Sequence, residues 1–243
     1  MNDAVYEEDG FFETIWGKIF LFVNPFLIAA LFIYLLYLIV IPSKAFGIVA
    51  GGISAYFFPP FGKESVIPLV VSELTRQNFY TPLATITLVA GTIAYVDVIT
   101  SYFLLWNLYI VEKIPVLGDW MRKFRDFGAQ TMKEKSWIKK VAFVGVALFV
   151  MVPFQGSGGV GASILGRVIG MNKYQAWMAI IVGSFSGCFL IATLSHYLGS
   201  MVIDIFESSM VQGIGTLAVL GIIFIILYTF FKHRKKMEVE GSD

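Results

Sequence analysis

The sequence predicts an all-α integral membrane protein with four transmembrane helices and two re-entrant helical hairpins arranged as inverted repeats. Three observations lead there. Of 243 residues, 57% are hydrophobic and only 14% charged, with a mean hydropathy of +0.77, which is more apolar surface than a soluble domain can hide. Several stretches approach the roughly 20 apolar residues that cross a hydrocarbon core. Two interrupted apolar stretches also match each other: FFPPFGKESVIPLVVSELTRQNFY over 57–80 and MVPFQGSGGVGASILGRVIGMNKY over 151–174. Without a gap, they set Pro59 on Pro153, Gly62 on Gly156, Val66 on Val160, Asn78 on Asn172 and Tyr80 on Tyr174.

Taken in order, residues 1–19 carry Glu7, Glu8, Asp9 and Glu13 beside Phe11, Phe12, Ile15, Trp16 and Ile19, the pattern of a helix lying at the interface. No charge occurs between Lys18 and Lys44, so a first span is expected over about 22–41. Asn24-Pro25 reads as its N-cap and first-turn proline. Repeat one covers 43–110. Its hairpin holds Gly51-Gly52, expected to let the inbound arm pack closely, and Thr81-Pro82 starts a second span running to about Ile110. Residues 111–140 are the one extended polar segment between membrane elements. They hold Lys113, Arg122, Lys123, Arg125, Lys133, Lys135, Lys139 and Lys140. With Trp120, Phe124 and Phe127 they read as an amphipathic helix on an anionic lipid surface. Repeat two covers 141–200, with a third span from Asn172 whose GSFSG run (183–187) favours tight packing. A fourth span at 211–231 ends on Lys232-His233-Arg234-Lys235-Lys236.

A hairpin returns the chain to the side it came from, so the two repeats are expected to be inverted. The polar linker, the C-terminal tail and Lys18 then share one side and hold most of the 18 lysine and arginine residues. The positive-inside rule makes that side cytoplasmic, which puts both termini in the cytoplasm of a multi-pass cell-membrane protein.

Irregular backbone at membrane depth persists only where it is buried in protein or lines a cavity, because lipid offers no hydrogen bonds. Paired interruptions in two halves are therefore the best pointer to a transporter's binding site. Lys63 and Glu64 fall at the tip of hairpin one, where an unpaired charge costs about 2.5–3.5 kcal/mol. Lys63 suits an anionic headgroup, and Glu64 a proton-coupled carboxylate, against the alternative of a structural ion pair. Gln155, Gly156, Ser157, Gly158 and Gly159 precede a short helix, so their amides suit an anion-binding nest, or else form a turn that only packs. Asp97, in the middle of the second span, is an intramembrane carboxylate and a second ion-coupling candidate. Glu73 and Arg167 take equivalent late positions in the outgoing arms and read as structural. His196 reads as a packing histidine that could also titrate. Cys188 is the only cysteine, so no disulfide and no Cys-based metal site is expected. No cofactor is expected, and no basic stripe interleaved with aromatics points to nucleic acid.

At VPFQGSGGVGASILGRVIGM the sequence resembles the small multidrug export family, which is distantly similar to DedA-like (VTT-domain) membrane proteins. The resemblance spans about 57–200. It implies inverted hairpin repeats and movement of polyprenyl phosphate, other lipids or drugs, with membrane lipids as partners and a proton or sodium ion for coupling. In GKESVIPLVVS, Lys63 stands where the family's arginine is expected, and in the second hairpin only Arg167 is available. The expected function is thus a transporter or lipid flippase and not an enzyme, with self-association left open. Two alternatives stand beside it. Gly156-Ser157-Gly158 and Ser195-His196-Tyr197-Leu198-Gly199 faintly echo a rhomboid-like intramembrane serine hydrolase. A membrane assembly protein without transport is the other.

Overall fold

A computed structural model describes residues 14–40, 43–58, 62–108, 136–154, 156–199 and 201. Among the described residues the chain is helical, without strands, in seven helices: α1 (Ile15–Ile39), α2 (Ser43–Tyr56), α3 (Lys63–Arg76), α4 (Pro82–Trp106), α5 (Ser136–Met151), α6 (Gly159–Val168) and α7 (Lys173–Leu198). Helices α1, α4 and α7, of 25, 25 and 26 residues, are long and apolar enough to cross a membrane. The predicted fourth span at 211–231, residues 1–13 and most of the polar linker lie outside the described residues.

The starts of the long helices follow local chemistry. Thr81 caps α4 by accepting the Ala84 amide at 3.4 Å, with Pro82 as the first helical residue. Asn172 caps α7 by accepting the Gln175 amide at 2.7 Å. Helix α4 ends earlier than expected, at Trp106, where Asn107 closes it. The expected start of the first span at Asn24-Pro25 is corrected. Helix α1 begins at Ile15 behind Thr14, whose hydroxyl accepts the Gly17 amide at 3.1 Å, and it runs straight through Pro25. A proline inside a helix strands the carbonyl four residues back. That carbonyl belongs to Leu21, and it accepts instead from the side chain of the buried Asn107, just past α4, at 3.1 Å. Asn24 donates to the Tyr102 hydroxyl at 3.2 Å rather than capping a helix.

Helix α4 runs antiparallel to α1, since Asn107 meets Leu21, Tyr102 meets Asn24 and Tyr95 donates to the Ile28 carbonyl at 3.2 Å. It also runs antiparallel to α7. Trp106 packs edge-on against Tyr174 at 5.3 Å, Trp177 donates to the Val98 carbonyl at 3.1 Å, and Ser184 meets Asp97. The GSFSG glycines do what their size allows. At Gly187 an added Cβ would lie 2.9 Å from the Met151 backbone, and at Gly183 it would strike the Ala147 carbonyl, so α7 and α5 touch backbone to backbone. Of the Gly51-Gly52 pair only Gly52 is used, against Val70 and Val66 of α3; Gly51 faces open space.

Two apolar cores form at opposite ends of the α4–α7 pair. One joins α2 and α3 to Ile86, Val89, Ala90 and Ile93 of α4 and to Cys188, Ile191 and Ala192 of α7. The other joins α5 and Ala162 of α6 to Leu105 of α4 and to Ala176, Ala179 and Ile180 of α7. Between them lies a polar layer, and there both short-helix pairs break. The ungapped match of the two stretches shifts accordingly. By role, Gly62 pairs with Gly158 as the N-cap of a short helix. Asn78 (φ 52°) pairs with Gly170 (φ 93°) as the left-handed turn residue, and Thr81 pairs with Asn172 as the N-cap of a long helix.

Candidate functional site

The polar layer is built around Asp97, 1% exposed in the middle of α4. Its Oδ1 accepts from the Tyr56 hydroxyl at 2.7 Å and from the Gly159 amide at 2.8 Å; its Oδ2 accepts from the Ser184 hydroxyl at 2.7 Å. One carboxylate thereby joins the end of α2, the start of α6 and the middle of α7. Gly159 is the first residue of α6, whose leading amides have no partner within the helix, so the carboxylate sits at the positive end of the helix dipole. Small residues are required for this approach. A Cβ on Gly159 would lie 3.1 Å from the Asp97 Cα, and one on Gly158 would lie 2.5 Å from the Tyr56 hydroxyl and 2.8 Å from Asp97 Oδ1.

Lys63, 1% exposed, opens α3 and donates from Nζ to the carbonyl of Val150 in the last turn of α5. Helix α5 ends at Met151, so this carbonyl belongs to the negative end of its dipole. The two ends left by the break between α5 and α6 are thus each covered by a charge from the first half of the chain: a lysine on the carbonyl end and an aspartate on the amide end. Glu64, 2% exposed, folds its carboxylate back over Gly62 at the start of its own helix. A cavity of about 430 Å³ opens between the two breaks, lined by Tyr56, Lys63, Asp97, Thr100, Phe154 and the glycines from 156 to 161.

Among the expected site residues, Lys63, Asp97, Gly156, Gly158 and Gly159 therefore line one cavity, and Glu64 lies beside it on Gly62. Ser157 is wholly buried, and its hydroxyl bonds the carbonyls of Val152 and Phe154 at 2.8 and 2.7 Å, so it ties the turn. Gln155 lies outside the described residues. Glu73 is apart from the cavity, in an exposed pair with Arg76 at 2.7 Å. Arg167 is buried at the far end of α6 and donates to the Met171 carbonyl at 3.1 Å. His196 Nδ1 meets Thr75 Oγ1 at 3.2 Å, so Ser157 and His196 each bond to other groups. Twelve residues of α7 separate His196 from Ser184, about 18 Å along the helix. Among the described residues no group of three or more metal-binding side chains forms.

The two side chains that bond Asp97 were not singled out by sequence. Tyr56 precedes the first break directly, and Ser184 is hidden in GSFSG, where its smallness suggested packing alone. The available signal for Ser184 was a hydroxyl among glycines near the centre of an apolar span.

Long apolar helices, a buried charged layer at their mid-height and an outer surface rich in exposed residues such as Phe26, Leu27, Leu31 and Leu38 define a multi-pass membrane protein. Residues 66–190 match the family model described as "Putative small multi-drug export protein", and the chain belongs to that family. No curated protein and no solved structure matches the chain.

Proposed function

We propose that this protein is an ion-gradient-coupled transporter for an amphiphilic substrate, either an anionic lipid such as a polyprenyl phosphate or a drug, acting as a DedA-like flippase or exporter. In this reading α2–α3 and α5–α6 are re-entrant hairpins of two inverted repeats that enter from opposite faces, a fourth span follows α7, and both termini are cytoplasmic. The observation that carries it is the meeting of two helix breaks at a cavity lined by the buried Lys63 and Asp97, with the buried Glu64 beside it on Gly62. Broken helices whose ends face a midplane cavity are how transporters hold charged groups away from lipid. The two apolar cores at opposite ends of the α4–α7 pair support entry from opposite faces. Family membership supports export across a membrane.

Lys63 supplies the positive charge that draws an anionic headgroup, and the carboxylates supply the ion site. Purified protein in lipid vesicles with an imposed pH or sodium gradient tests this, with a labelled polyprenyl phosphate and a cationic drug as rival substrates. Gradient-driven movement of one of them is expected, weakened by Lys63→Ala. If wild-type vesicles move neither substrate under either gradient, the transporter reading is refuted.

A further inference from the structure

The cavity and the Gly62 turn beside it bring together one cation and two carboxylates, Lys63, Asp97 and Glu64, all under 3% exposed. A net charge buried at membrane depth is costly, so such a group of three reaches neutrality by taking up one monovalent cation. The surroundings of Asp97 select which cation. All three of its partners, the Tyr56 hydroxyl, the Gly159 amide and the Ser184 hydroxyl, point hydrogens at the carboxylate. A sodium ion would need both hydroxyls to turn their lone pairs to it and would still meet the amide hydrogen, whereas a proton needs only one hydroxyl to turn.

The two carboxylate oxygens differ in this respect. Oδ1 faces a backbone amide, which can only donate. Oδ2 faces the hydroxyl of Ser184, which can turn and accept. The Ser184 hydrogen then has Cys188 Sγ to turn to, 3.9 Å from Oγ.

We propose that Asp97 is the proton-binding group of this site and that the proton is carried on Oδ2, held by Ser184 acting as its acceptor. The charged and titratable groups around Asp97 are Tyr56 on α2, Lys63 on α3 and Cys188 on α7, with Glu64 of α3 acting on Tyr56; α6 presents only backbone amide. On protonation an O–H bond forms at Oδ2, the Ser184 hydroxyl reverses, and Oδ1 becomes a neutral carbonyl. The hydrogen bonds from Tyr56 and Gly159 survive in weaker form, because a charged acceptor has become a neutral one. The start of α6 loses the countercharge at its dipole, and the contact of Gly158 and Gly159 with α4 loosens. The proton-loaded state is then the one in which hairpin two is free to move. This deepens the transporter reading and rests on it. Ser184 is a positioning residue here, acting through Asp97.

The test is infrared difference spectroscopy of the full chain in lipid vesicles between alkaline and acidic buffer. It reads the carbonyl stretch of a protonated carboxylic acid and needs no substrate. Wild type should show an acid band that is lost in Asp97→Asn and kept in Glu64→Gln. Ser184→Ala should keep the band and raise its frequency, since the acid hydrogen has lost its acceptor, and Ser184→Thr should restore it. A band lost in Glu64→Gln but kept in Asp97→Asn overturns the proposal, as does a wild type with no titrating band. A band whose frequency ignores Ser184→Ala overturns the role given to Ser184, even if Asp97→Asn fails to fold. Failure of wild-type vesicles to transport would refute the transporter reading while leaving this band unchanged, so the two failures are distinguishable.

Discussion

Asp97→Ala should be among the most damaging single changes in the molecule, because three donors converge on that side chain from three helices. The Gly159 amide would be left buried without an acceptor, at about 1–3 kcal/mol. The hydroxyls of Tyr56 and Ser184 would lose bonds of 2.7 Å to a charged acceptor, each contributing about 1.5 kcal/mol or more. Together these give about 4–6 kcal/mol. Asp97→Asn retains a carbonyl for Tyr56 and Gly159 and an amide for Ser184, so it forfeits mainly the charge component, about 1–2 kcal/mol. Cys188 provides the assay, since it is the only cysteine in the chain and is wholly buried. A thiol-reactive fluorophore therefore reports its exposure on heating in detergent. At about 2–4 °C per kcal/mol for a chain of this size, Asp97→Ala should melt at least about 8 °C below wild type, with Asp97→Asn between them. Equal melting of Asp97→Ala and wild type would refute the claim that this carboxylate holds α2, α6 and α7 together.

Gly159→Ala should lower the same melting temperature, since its Cβ would meet fixed backbone of Asp97, 3.0 Å from the carbonyl carbon; overpacking of this kind costs about 1–3 kcal/mol. Gly145→Ala in α5 faces open space and should be neutral or stabilising by up to about 1 kcal/mol; melting in the reverse order would contradict the packing described. The Glu73 carboxyl is held below its ordinary range by hydrogen bonds from Arg76 and then Gln77. Its contribution to stability is therefore present above the unfolded carboxylate range and lost as pH falls through the folded value. Because the pair is exposed, Glu73→Gln should lower melting only slightly at neutral pH in physiological salt and should converge with wild type in acid, flattening the acid limb of a melting-against-pH curve by that same small amount. A large drop at neutral pH would show that the pair does more than cap the end of α3.

What the sequence determined by itself was whatever depends on near neighbours in the chain. Apolar length marked α1, α4 and α7 as spans, and Thr81-Pro82 and Asn172 marked two helix starts, because a cap is a contact across three residues. Proline and glycine marked both breaks, since they limit the backbone wherever they stand. Lys63, Glu64 and Asp97 were legible as candidates because charge is rare in such a setting, and Pro25 was misread because its effect is resolved by Asn107, 86 positions from the Leu21 carbonyl that Asn107 binds. The tertiary structure alone decided which partner each charge has: Tyr56, Gly159 and Ser184 for Asp97, and the Val150 carbonyl for Lys63. The physical reason is that in α4 and α7 the polar residues are not gathered on one face, so no periodicity in the sequence says which face turns inward. Helix rotation is set by close contacts such as Gly187 on the Met151 backbone and Gly159 on the Asp97 backbone, and only once those faces meet do the buried donors find the carboxylate.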